Sequence, residues 1–327
     1  MPSLSSTLAI GIGACAVALV ATPLAMWLAN RVQLVDRPGP LKPQASATPY
    51  LGGVAICLGL VVGTVAFKPL LLVPLGMALA IGTADDVRPL PPVVRLVGEL
   101  LTAVVLALVV TTRFTGIVSI LLVVLATVVL VNGFNLIDGL DGLCGSVSLA
   151  SAVGFAVVLS THGRYLAVAL AGAIAAFLVF NRPPARIYLG DGGSYLIGTA
   201  TASLLALCWS PGEQLPTGIG ALLLVLLPAA ELVFAVVRRW RGRTSLLTGD
   251  RDHPYDQLVR RGWSKGAAVV AYAVAGVILT GLAIVASELK TVPAMVITGV
   301  SALALIALGS QAGFMSSAQR PNDTEQA

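Results

Sequence analysis

The sequence predicts an all-α integral membrane protein of about eleven transmembrane helices, and three observations predict it. Of its 327 residues, 57% are apolar and only 11% are charged, against roughly 25% charged in a soluble globular domain. The mean hydropathy is +0.93. Apolar runs near the ~20 residues needed to cross a bilayer recur along the chain. This balance excludes an ordinary soluble enzyme, a disordered protein and a DNA-binding domain. It also excludes a transmembrane β-barrel, whose strands alternate and never build long unbroken apolar runs.

The expected spans are 4–29, 51–67, 69–84, 93–111, 117–134, 142–160, 165–180, 194–210, 217–237, 266–286 and 292–313. The second and third are barely separated, and the third is short. The fourth carries Glu99 and the ninth Glu231 within apolar sequence; a carboxylate there is costly and should face the protein interior or a polar cavity. The fifth runs straight into the polar stretch VNGFNLIDGLDGLCG, Pro183 and Pro184 stop the seventh, and Ser194 is a good N-cap for the eighth. Residues 1–315 read as one polytopic domain and 316–327 as a short disordered tail.

Basic residues orient the spans. The first 30 residues hold no Lys or Arg, so they lack the charged start of a secretory signal. Arg31, Arg37 and Lys42 follow span one, which places the N-terminus outside and the first loop inside. With eleven spans, sixteen basic residues fall inside and four, Lys68, Arg113, Arg164 and Lys290, fall outside. The C-terminus is then cytoplasmic. The net charge of +5 is read as topology plus attraction for phosphate-bearing substrates, with no nucleic-acid partner. Cys15, Cys57, Cys144 and Cys208 form no CxxC pair and read as small hydrophobes rather than a disulfide framework or zinc site.

Most of the acids then sort onto the cytoplasmic side, with only Glu213 and Glu288 in outside loops. Acidic residues contribute little to topology, so their gathering needs its own reason. Asp85 and Asp86 end span three in GTADDVRPL. Neighbours on a helix point about 100° apart, so one site need not receive both, and a carboxylate pair at a helix C-terminus is poorly placed for the dipole. Asn132, Asn135, Asp138 and Asp141 recur every three residues and would fan across half an ideal helix. Gly139 makes a break there and leaves backbone free to approach a ligand. Asp191 lies in GDGGS, a glycine-rich turn before a helix start, where exposed N–H groups and the dipole form an anion site. An Asp in that turn can hold Mg²⁺ against the same phosphates. The loop from Arg238 to Lys265 holds seven arginines and His253. Most of these arginines read as anchors at the cytoplasmic surface. His162, in an outside loop, has no assigned role.

The ordered set TADD, NGFNLIDGLDGL, RIYLGDGGS and GDRDHPYDQLVRRG resembles the polyprenyl-phosphate N-acetylhexosamine-1-phosphate transferases of glycosyltransferase family 4, over roughly residues 31–265. Within that family it looks like the UDP-GlcNAc:undecaprenyl-phosphate GlcNAc-1-phosphate transferase branch, related to the phospho-N-acetylmuramoyl-pentapeptide transferases. The resemblance implies a Mg²⁺-dependent phosphoglycosyltransferase, with Mn²⁺ as a substitute. Such an enzyme transfers a sugar-1-phosphate from a UDP-sugar to undecaprenyl or decaprenyl phosphate and releases UMP, as the first membrane step of cell-envelope polysaccharide assembly. It would lie in the bacterial plasma membrane with its site facing the cytoplasm, and a homodimer is compatible with it.

By matching motifs, the resemblance implies catalytic roles for Asp85, Asp86, Asp138, Asp141 and His253. It implies substrate binding by Asn135, Asn181, Tyr188, Gly190, Ser194, Arg251 and Arg260, and metal binding by Asp191, with Asp85 and Asp86 as further candidates. Tyr188 takes the place of an aromatic residue that packs against uracil, and Glu231 matches an acidic residue of the ninth span. The sequence departs in two places. HPYD stands where the family has HIHH or HHH, so Tyr255 and Asp256 replace histidines, and loop one keeps VDRP and the glycine pair but has Lys42 as its one Lys and no His. Direct attack by the acceptor and a covalent aspartyl intermediate both remain open. The competing class is a transporter or flippase of an anionic solute or lipid-linked sugar, which would place its polar site near the bilayer midplane.

Overall fold

The computed structural model describes residues 2–37, 47–110, 112–245 and 252–316. Among them the chain forms thirteen α-helices, one 3₁₀ turn and one two-stranded ribbon. Lys42, Asp250, Arg251 and the tail from residue 317 lie outside the described residues.

Helix α1 (Leu4–Arg31) starts at Ser3, whose hydroxyl accepts the Ser6 N–H at 3.1 Å, as an N-cap should. Strands β1 (Val35–Asp36) and β2 (Thr48–Pro49) pair antiparallel and draw the two ends of the first loop together. Helix α2 (Gly52–Phe67), the turn Pro69–Leu71 and α3 (Leu72–Val87) form the short hairpin. Then come α4 (Pro92–Val109), α5 (Gly116–Ile137), α6 (Leu143–Val158), α7 (Arg164–Asn181) and α8 (Gly190–Cys208). Helices α9 (Leu215–Leu224), α10 (Leu226–Arg241), α11 (Pro254–Arg260), α12 (Lys265–Glu288) and α13 (Thr291–Gln311) complete the chain.

Each of the eleven expected segments is helical, so the chain is an all-α, multi-span membrane protein. By length and composition, seven of the described helices are long and apolar enough to span a membrane, or eight if α9 and α10 count as one. The difference from eleven has physical causes. Helices α2 and α6 have only 16 residues each. Helix α8 is the hub: every residue from Gly192 to Cys208 is buried, packed against α2, α3, α5, α6, α7 and α9, so it needs no lipid-facing side.

The expected ninth span is broken, with α9 and α10 meeting at 56°. Pro228, in the first turn of α10, has no N–H and crowds the carbonyl four residues back, which is that of Leu224. The Ser151 hydroxyl of α6 donates to that carbonyl. A backbone group freed within a membrane helix thus finds an internal partner, as low-dielectric surroundings require.

The bundle has two polar ends. At one, buried Glu213 accepts from the Ser160 and Thr161 N–H groups at 3.0 and 2.9 Å and from the Ser160 hydroxyl at 2.8 Å. This lock joins the loop after α6 to the loop before α9. The other end carries the last turns of α3 and α5, the first turns of α4 and α8, and α11.

Candidate active site

Asp86 and Asp85, adjacent in the last turn of α3, serve different neighbours. Asp86 reaches the start of α8, where its two carboxylate oxygens accept the N–H groups of Asp191 at 2.9 Å and Gly192 at 3.0 Å. It is a helix cap supplied by another helix. This corrects two sequence expectations. Helix α8 begins at Gly190, not at Ser194, because the glycine-rich turn already has its anion. Ser194 is one turn inside, with its hydroxyl donating to the Asp191 carbonyl at 3.2 Å. The N–H pair expected to face phosphate is held by Asp86. Gly190 sits at φ +74°, and a Cβ there would press on the Asp86 carboxylate at 2.6 Å. Side chains at Gly53 and Gly82 would collide with the backbone of Gly193 and Asp191. Helices α2, α3 and α8 therefore meet backbone to backbone at the site.

Asp85 turns towards α4. It accepts the Leu90 N–H at 2.7 Å and lies 3.1 Å from Arg95 Nε. It also lies close to the Asp191 carboxyl. Arg95, read from sequence only as an orienting charge, is at the centre of the site. Its Nε donates to the Tyr195 hydroxyl at 2.8 Å and its Nη2 to Asn135 Oδ1 at 3.4 Å. Asn135 in turn donates to Asp191 Oδ1 at 2.6 Å and Ser194 Oγ at 3.3 Å.

The Asn–Asn–Asp–Asp series fans out as its spacing requires. Asn132 points down the helix to Glu99, donating to its carboxylate at 2.6 Å. Asn135 meets Asp191. Helix α5 ends at Ile137, with Asp138 as its C-cap residue. Asp141 lies beyond, accepting the Ala185 N–H at 2.9 Å. Among the described residues, no hydrogen bond or ion pair holds the Asp138 carboxylate. Burial, then the charges of Asp191, Asp86 and Asp141, push its pKa well above the ordinary carboxylate range. A group held in that way accepts a proton or a cation readily.

Gly139 is not the open approach to ligand expected from its lack of a side chain. Any Cβ there would collide with the Tyr255 hydroxyl, which donates to the Leu136 carbonyl at 3.1 Å. Tyr255, one of the two residues replacing family histidines, thereby docks α11 on the α5–α6 turn. It also stacks on His253, with centroids 5.5 Å apart and planes at 17°. His253 is buried. Its backbone N–H donates to the other replacement, Asp256, at 3.2 Å, and its ring Nδ1 lies 3.8 Å from Glu231. Glu231 also accepts from the Tyr272 hydroxyl of α12, so it both crosslinks helices and backs His253.

Two other sequence candidates are tied to protein atoms. Asn181 accepts the Gly142 N–H at 3.0 Å and donates to the Ile187 carbonyl at 2.9 Å, clamping two site loops rather than presenting its amide. Arg260 pairs with Asp252, which also lies 3.8 Å from Arg238 Nε. Arg238 departs from the anchoring role, since it is 2% exposed and bonds the Phe314 carbonyl at 3.3 Å. Tyr188 is half-buried, its ring centroid 5.8 Å from that of Tyr50. Both phenols are pushed above their ordinary pKa, first by burial and then, among other causes, by nearby carboxylates or despite a Thr48 hydrogen bond.

Sequence reasoning missed Arg95, Tyr195, Tyr50 and Tyr272. Arg95 had a signal: an arginine one turn into an apolar helix, four residues before Glu99, is too deep to be a loop charge. Tyr195 and Tyr272 had none, because an aromatic in an apolar span reads as packing, and Tyr50 stands in the first loop just before α2 with no partner visible in its own stretch of sequence.

The whole arrangement is an array of carboxylates, amides and one guanidinium at one end of a membrane bundle, suited to a charged substrate and its counter-ion. Comparisons agree. Residues 69–208, from α3 through α8, match glycosyl transferase family 4. The chain is 31% identical over 236 residues to the undecaprenyl-phosphate alpha-N-acetylglucosaminyl 1-phosphate transferase of Thermotoga maritima, covering 71% of this chain and 75% of that one. It is 29% identical to the decaprenyl-phosphate N-acetylglucosaminephosphotransferase of Mycolicibacterium smegmatis, covering 84% and 80%. It is 28% identical to a probable undecaprenyl-phosphate N-acetylglucosaminyl 1-phosphate transferase of Bacillus subtilis, covering 82% and 81%. The chain is thus an enzyme, and it belongs to the polyprenyl-phosphate N-acetylhexosamine-1-phosphate transferases of glycosyl transferase family 4.

Proposed function

We propose that the protein transfers N-acetylglucosamine-1-phosphate from UDP-N-acetylglucosamine to a membrane polyprenyl phosphate and releases UMP, at the cytoplasmic face of a bacterial plasma membrane. The observation that carries this reading is the convergence of Asp85, Asp86 and Asp191 around Arg95 at the bundle end, with Asp138 beside Asp86 and Asp191. A site there meets an isoprenoid tail from the bilayer and a nucleotide sugar from water. A transporter would hold its polar site near the midplane.

The reaction joins two anions. An oxygen of the polyprenyl phosphate attacks the β-phosphorus of the UDP-sugar, the bond from that phosphorus to the bridging oxygen breaks, and UMP leaves with the oxygen. Such a transfer needs charge neutralisation and in-line placement. The second pKa of a phosphomonoester is ~6, so the acceptor arrives largely deprotonated at neutral pH and needs little base catalysis.

Among the described residues no group of three or more His, Cys, Asp or Glu forms a metal cage. Mg²⁺ seldom uses one, since it binds through one or two carboxylates plus phosphate and water. Asp191, with the Asp85 carboxyl against it and the unheld Asp138 carboxylate within its field, fits that need. Magnesium held there would supply positive charge to the diphosphate. Asp86 holds the turn that carries Asp191. Asp138, with no hydrogen-bond or ion-pair partner among the described residues, is the group placed to meet the reacting phosphates, and Glu231 stands behind His253. Tyr188 offers a ring for the uracil.

The test is UMP release by purified protein with polyprenyl phosphate and a panel of UDP-sugars. Release with UDP-N-acetylglucosamine, lost without divalent cation, supports the reading. No release with any UDP-N-acetylhexosamine would revive the transporter. Isotope from the sugar phosphate retained on Asp138 would replace direct attack with a covalent path.

A further inference from the structure

Arg95 and Tyr195 are paired inside the site, and Tyr195 lies one helical turn beyond Asp191 on α8. Residues four apart share a helix face, so one face of α8 presents both. The Tyr195 ring is buried against Ala78 and Val131. Its hydroxyl accepts from Arg95 Nε at 2.8 Å, and the guanidinium carbon lies 5.7 Å from the ring centroid. A guanidinium has five N–H donors in a rigid fork. Here Nε faces Tyr195 and Asp85, and one Nη2 proton faces Asn135. The Nη1 edge has no hydrogen-bond partner among the described residues, and the side chain is 29% exposed. A cation anchored on one edge and open on the other matches a phosphate oxygen pair.

We infer that Tyr195 is a positioning residue: its buried hydroxyl fixes the Arg95 guanidinium so that the Nη1 edge receives a phosphate of the substrate. Without that hydroxyl, Asp85 alone would hold Nε, and the fork could rotate into a closed pair with the carboxylate. Arg95 itself touches the substrate. The identity of that phosphate rests on the transferase reading; the open, anchored edge does not.

The experiment measures binding of inorganic pyrophosphate, with excess magnesium, to the full-length protein in detergent. Tyr195→Phe keeps the ring and removes one oxygen. It is expected to weaken pyrophosphate binding about tenfold, the effect of one hydrogen bond to a charged group. Arg95→Lys keeps the charge, loses the fork, and should weaken binding at least as much. It also reads the same contact should Tyr195→Phe fail to fold. The double variant should bind no worse than Arg95→Lys alone, because the hydroxyl acts only through the guanidinium. In turnover, Tyr195→Phe should raise KM for the UDP-sugar more than it lowers kcat. Wild-type binding in either single variant, an equal further loss from Tyr195→Phe in the Arg95→Lys background, or no pyrophosphate binding by the wild type would overturn the inference. Pyrophosphate bound by the wild type, with no UMP released from any UDP-sugar, would refute the transferase reading and leave this one standing.

Discussion

At the residue scale, the site separates carboxylates that build from carboxylates that are free to react. Asp86 builds, because its two oxygens hold the first N–H groups of α8. Asp86→Ala should lower the melting temperature in detergent, with a loss of about 1 kcal/mol as for other N-caps. Asp86→Asn, which keeps one acceptor oxygen, should lose less. Asp138 is the opposite case. Asp138→Asn should cut product formation by about a hundredfold or more, the effect of losing one preorganised charged group at the reacting centre, without lowering the melting temperature, since it removes repulsion and breaks no hydrogen bond. The sign of its pH dependence follows. Its folded pKa is raised above the unfolded value, ~3.9, so the folded state holds the proton more tightly. The stabilisation is complete below ~3.9 and is lost as pH rises through the folded pKa. In the absence of divalent cation, the wild-type melting temperature should fall across that window and Asp138→Asn should fall less. A steeper fall in the variant would refute this account of Asp138.

At the element scale, much was legible in the sequence, for reasons that differ by element. The apolar segments, the Pro183–Pro184 stop and the end of α5 beside Gly139 follow from local chemistry: hydropathy, a missing N–H, a flexible backbone. The start of α8 was misread because its cap comes from α3, over a hundred residues away in sequence. The break between α9 and α10 was missed because a proline inside an apolar run does not show how sharply the run bends. Gly139 was seen, but not Tyr255 against it, since a hydroxyl from α11, more than a hundred residues further on, cannot be inferred from the α5–α6 turn. Gly139→Ala should therefore displace α11 and His253 and reduce turnover at least tenfold, about the effect of losing a general acid–base or positioning group in part. Tyr255→Ala placed in the same chain should restore the room. If Gly139→Ala keeps full turnover, α11 does not need that seat.

At the scale of the whole molecule, the charges of the two bundle ends differ in kind. One end carries the Glu213 lock, whose carboxylate is spent on the backbone and hydroxyl of its neighbours. The other carries the carboxylate and guanidinium array; Trp27 in the last turns of α1, Trp240 in the last turn of α10 and Trp263 after α11 are exposed as interfacial aromatics are. In a version lacking native cysteines, a cysteine at Ser245 should react with an impermeant thiol reagent only in inside-out vesicles, and one at Ser3 only in intact cells. The reverse pattern would place the site outside and overturn the cytoplasmic assignment. The glycine contacts among α2, α3 and α8 have a consequence for life in bilayers of different thickness. Mismatch between a protein and its lipid is absorbed by tilting helices that are free to tilt. Backbones locked together at Gly53, Gly82 and Gly193 leave α8 no slide relative to its partners, whereas α13 buries only Ala294 and Gly309. A change in acyl-chain length is then taken up at the periphery by α13, and the reacting groups keep their spacing while the lipid around them changes.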